Sequence, residues 1–70
     1  MKTRQNYIIE RFTFNNWWNV CQTSSLGDAS LIAKSLRSAT NATYRVLLDG
    51  PNYRAGHPTV VGTYNKQEAS

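Results

Sequence analysis

One stretch of the chain carries an apolar stripe with helical period. Leu26, Ala29, Ile32, Ala33 and Leu36 recur at three- and four-residue spacings, while Ser30, Lys34, Ser35, Arg37 and Ser38 face away. Ser25 is placed to cap its start, with Asp28 closing a capping box, and Asn41 accepts the left-handed conformation that ends a helix. The segments around it are rich in β-branched and aromatic residues: Tyr7 to Phe14, Trp17 to Thr23, Thr43 to Leu48 and Thr59 to Tyr64. The order is strand, strand, helix, strand, strand. A single amphipathic helix has one face to bury, so the economical solution is a small α+β domain: a four-stranded antiparallel sheet with one helix packed on one face. A crossover after the helix leaves one parallel pair as the alternative.

Seventy residues make one small domain, 1–70, with an ordered core over about 7–64, a flexible basic N-terminal arm at 1–6 and a C-terminal tail at 65–70. A chain this short has no room for a deep cleft. The single Cys21 excludes an internal disulfide and a cysteine-based zinc set, and an unpaired thiol suits a reducing, cytoplasmic setting. The longest apolar runs are two or three residues, so neither a membrane-spanning helix nor a signal-peptide core is expected.

Trp17 and Trp18 are adjacent in a strand, where successive side chains point to opposite faces. One ring therefore lies away from the helix. Asn15-Asn16 is read as a two-residue hairpin turn, because asparagine tolerates the positive φ such turns require. Phe14 then opposes Trp17, and two sets follow. The set with Ile8, Glu10, Phe12, Phe14, Trp17, Asn19, Cys21 and Thr23 is the more aromatic and is placed under the helix. The set with Tyr7, Ile9, Arg11, Thr13, Trp18, Val20 and Gln22 is placed on the open face. In the third strand Tyr44, Val46 and Leu48 form the core set, sending Arg45 and Leu47 outward. Tyr7, Ile9, Arg11, Trp18, Arg45 and Leu47 thus make the candidate contact surface, a composition shared by protein interfaces and by sheets that stack nucleic-acid bases.

Asp49 to Pro58 is a long connection for so small a domain, and Tyr53, Arg54 and His57 give it a stacking group, a fork donor and a titratable ring. It is the second candidate binding element. His57 is the sole histidine and its spacing from Asp49 and Glu10 fits no ligand pattern, so no metal and no cofactor is expected. Cys21 falls in the presumed core, and no paired carboxylates or phosphate-cradling glycines occur. The expectation is a binding protein rather than an enzyme, with no small-molecule substrate indicated.

Eight Lys and Arg against four Asp and Glu leave a formal charge of +4, which favours anionic partners. The run Tyr7-Ile8-Ile9-Glu10-Arg11-Phe12, Asn15-Asn16, Trp17-Trp18-Asn19-Val20, the Ser25 to Leu36 helix and Tyr44-Arg45-Val46 resembles small orphan proteins of bacteriophage and plasmid genomes. That resemblance implies a cytoplasmic accessory protein that binds and modulates a host protein, such as a defence component or RNA polymerase. It carries no site residues with it. A homodimer through the open sheet face is the related expectation, and nucleic-acid binding is the alternative, with Arg11, Arg45 and the basic N-terminal arm on phosphates and Tyr7 or Trp18 stacking on bases.

Overall fold

The computed structural model describes residues 6–66, so most of the expected N-terminal arm and C-terminal tail, at 1–5 and 67–70, lies outside the described residues. Strands β1 (Tyr7–Thr13), β2 (Asn16–Thr23), β3 (Thr43–Leu48) and β4 (Thr59–Tyr64) form one sheet in the order β2-β1-β3-β4, every pair antiparallel. Helix α1 (Leu26–Thr40) packs on one face, and a single helical turn, α2 (Pro51–Arg54), interrupts the connection between β3 and β4. The α+β architecture expected from the sequence is the one observed.

The ends of α1 follow from its flanking residues. Ser25 Oγ accepts the Asp28 backbone N–H at 3.3 Å, one half of a capping box, while the Ser25 N–H donates to Thr23 Oγ1 instead of to Asp28. At the other end Asn41 turns left-handed at φ 52° and its N–H returns to the Arg37 carbonyl at 2.8 Å. Ala29 and Ala33 are fully buried, and their small side chains bring the helix down onto Tyr44, Val46 and Ile9. Thr40 Oγ1 donates to the Leu36 carbonyl, which leaves it to accept the Tyr44 hydroxyl at 2.8 Å. The largest core side chain thus has its polar end satisfied.

The register of β1 on β3 decides which residues share the helix face. Ile9 lies opposite Val46 and Arg11 opposite Tyr44, so the odd-numbered residues of β1 face α1 and Ile8, Glu10 and Phe12 face the other way. This reverses the assignment from the sequence. Glu10 is the physical reason. Beneath the helix its carboxylate would face apolar side chains, whereas on the second face it stands directly across from Arg45. The β2 pairing also shifts at Ile9/Glu10, so that Val20 is an extra residue between Asn19 and Cys21. The bulge returns Cys21 to the helix face beside Ile9 while leaving Trp17 and Asn19 on the second face.

The hairpin turn sits one residue earlier than expected. Thr13 pairs with Asn16, and the two central residues with positive φ are Phe14 (53°) and Asn15 (62°). Two positive φ values in a two-residue loop are the type I′ pattern, which favours Asn and Gly and disfavours a bulky side chain. The contacts of Trp17 account for this register. It sets the Trp17 ring 5.1 Å from Phe12 and beneath the Arg45 guanidinium, which lies 4.1 Å from the ring centroid.

Candidate binding surface

The second face of the sheet is not bare. Ile8 and Leu47 are buried there, and Glu10 is only 5% exposed. The chain returns across this face in the Asp49–Pro58 connection, a strap pinned at its centre where the Tyr53 hydroxyl donates to Glu10 Oε2 at 2.9 Å. Arg45 completes the clamp: its Nε and Nη2 reach Glu10 Oε1 at 2.9 and 2.8 Å. With both oxygens engaged, the carboxylate joins β1, β3 and the strap. The bond to Glu10 pushes the Tyr53 phenol above the ordinary tyrosine value; burial and the neighbouring negative charge act in the same direction, against smaller opposing effects of Asn19 and Arg45.

This geometry corrects the first candidate surface. Ile9 and Leu47 are fully buried, Tyr7 packs against the helix-side core, and Arg11 lies on the helix side between Trp18 and Tyr44. Arg45 does face away from the helix, but it is held by Glu10 and Trp17. The mismatch comes from the β1–β3 register, because residues directly opposite in an antiparallel pair share a face. Of the loop candidates, Tyr53 is tied down by Glu10, while Arg54 and His57 are exposed on the strap.

Reactive groups are dispersed rather than assembled. Cys21 packs against the helix-side core and burial raises its thiol above the ordinary value, which makes it a poor nucleophile. His57 belongs to the strap. Among the described residues no three His, Cys, Asp or Glu side chains come together in a metal-binding group. No helix among them is long and apolar enough to cross a membrane.

What the structure does bring together is an aromatic group at the hairpin end of the sheet. Phe14 is 87% exposed at the turn, Trp18 is 50% exposed and Phe12 41%. Trp18 lies on the helix side and Phe12 on the second face, so the turn carries rings on both sides. The Trp18 ring is oriented by its Nε1–H, which donates to the Thr13 carbonyl at 3.0 Å. The aromatic count expects Phe12 and Phe14 in the core set; the signal against that is Glu10, which shares a face with Phe12 and requires a cationic neighbour. Phe14 occupies a backbone conformation that costs a bulky residue roughly 1–2 kcal/mol, and gains little packing there.

Both edge strands carry an interruption. Val20 is the extra residue in β2, and the β3–β4 pairing shifts so that Val61 is the extra residue in β4. Bulges in edge strands oppose the addition of another strand. A second copy is therefore not favoured along either edge. Comparison with protein-family models, curated proteins and solved structures returned no match for the chain.

Proposed function

We propose that this chain is a non-catalytic binding module whose contact surface is the hairpin end, built from Phe12, Phe14 and Trp18 with Arg11 beside them. The observation that carries the reading is Phe14. A large ring held in a left-handed turn position and exposed to solvent lowers the stability of the free domain, and backbone strain of this kind collects at sites that serve contact or switching. Aromatic side chains with arginine are also the residues that dominate binding energy at interfaces. In the form implied by the resemblance to bacteriophage accessory proteins, the module acts in the host cytoplasm by occupying the surface of a host protein.

Immobilised wild-type chain and a Phe14→Asn/Trp18→Ala variant, both shown to be folded, test this by capture from host extract. The reading expects a partner retained by the wild type and lost by the variant. Equal retention by both would place the contact elsewhere. Sedimentation at increasing concentration addresses the homodimer, which on this account has to form through the same rings and dissociate in the same variant.

A further inference from the structure

We infer that the hairpin end takes single-stranded nucleic acid, its bases stacking on Phe14 and Trp18 and its phosphates on Arg11, Arg37 and Lys66. The inference rests on the binding-module reading and puts a nucleic acid in place of a host protein as its partner. Charge is placed unevenly along the sheet axis. Pairing of Phe12 with Thr43 and of Tyr44 with Tyr64 brings the start of β3 and the end of β4 to the end where the hairpin turns. The last turn of α1 arrives there too, since Thr40 bonds the Tyr44 hydroxyl. Three cations come with these elements. Arg11 lies across from Trp18 and Tyr44, Arg37 is in the last turn of α1, and the Lys66 backbone N–H bonds Thr43 Oγ1 at 3.0 Å.

The carboxylates of the described residues are elsewhere. Asp28 is in the first turn of α1 and Asp49 donates its N–H to the Asn6 carbonyl, both at the opposite end of the sheet. Glu10 is enclosed by Arg45 and Tyr53. Among the described residues, Arg11 and Arg37 have no carboxylate partner, and the Nε of each is buried without a hydrogen bond. Among the described residues, exposed rings, unpaired cations and no free carboxylate at one end are complementary to a polyanion that carries flat apolar groups. Single strands fit that description; in a duplex the bases are stacked inside and do not reach Phe14.

The test is fluorescence polarisation of a fluorescein-labelled oligothymidylate, with the same sequence annealed into a duplex as comparator. At low salt the single strand should bind more tightly than the duplex. Base stacking on an aromatic side chain is worth about 1–3 kcal/mol, so Phe14→Asn, which keeps the fold, should weaken binding by about 5- to 150-fold. Three phosphate contacts give a log-log salt slope of about −2, and Lys66→Gln should make it shallower by about 0.7. Arg54→Gln, which removes the same charge from the strap, should leave the effect of Phe14→Asn intact and change affinity far less. No binding at about 50 mM salt, or binding that Phe14→Asn does not alter, overturns the inference. If the oligonucleotide fails while the hairpin variant loses a captured host protein, the partner assigned here is wrong and the binding-module reading stands. If both fail, both are wrong.

Discussion

Replacing Phe14 with asparagine should make the free domain more stable, although it removes a large apolar side chain. With 87% of the residue exposed, its burial amounts to about 25 Å², worth about 0.6 kcal/mol at ~25 cal/mol per Å². The backbone conformation at φ 53° costs a bulky side chain roughly 1–2 kcal/mol, most of which asparagine avoids. The balance favours Phe14→Asn by about 0.5–1 kcal/mol, a rise in melting temperature of about 3–6 °C for a domain this small. Phe14→Ala separates the two effects. It loses the same contacts and lacks the side-chain amide with which asparagine offsets the left-handed backbone by local hydrogen bonding, so it should be slightly less stable than wild type. The assay is urea unfolding of all three chains, reading the midpoint with the slope unchanged. If asparagine were no more stable than alanine, the turn would carry no strain and Phe14 would lose its place as a sign of function.

The Glu10 clamp makes a second prediction: Glu10→Ala should cost about 3 kcal/mol, since it strands the Arg45 guanidinium and frees Tyr53, and a Glu10→Met/Arg45→Met pair should recover much of that loss in the same melt. At Gly62 an added Cβ would lie 3.1 Å from the Tyr64 hydroxyl and 3.2 Å from its ring, so Gly62→Ala must push aside a side chain bonded to Ser30 Oγ. The expected loss is about 1 kcal/mol, and a gain in the melt would show that the ring moves freely. Tyr53 gives a pH signature. Its raised pKa means that the bond to Glu10 contributes fully below the ordinary tyrosine value and is lost as pH rises through the raised one. Tyrosinate absorbance should lose a late-titrating phenol in Tyr53→Phe, and an unchanged late phase in that variant would refute the clamp.

Much of the fold was legible because local signals agreed. The stripe from Leu26 to Leu36, the Ser25 cap and the Asn41 stop bound α1 closely, and β-branched runs located all four strands. The faces were not legible, because they depend on long-range register. An aromatic count favoured Phe12 and Trp17 under the helix, yet Glu10 lies in the same set, and a buried carboxylate demands a cation across the strand. Weighing that one charge against the rings would have turned β1 over. The bulge at Val20 had no clear local mark, so the return of Cys21 to the helix side could not be read from alternation. The strap is unusual for its length, but its attachment to the second face rests on a contact between Tyr53 and Glu10, 43 residues apart.

The most direct test of the hairpin end as a site for single-stranded nucleic acid is a backbone amide chemical-shift titration of the isotopically labelled chain with oligothymidylate. The account predicts perturbations at Arg11 to Trp18, at the last turn of α1 and at Thr43 and Lys66, with the strap from Asp49 to Pro58 unaffected. Perturbations centred on Tyr53, Arg54 and His57, or the absence of any at saturating oligonucleotide, would contradict it.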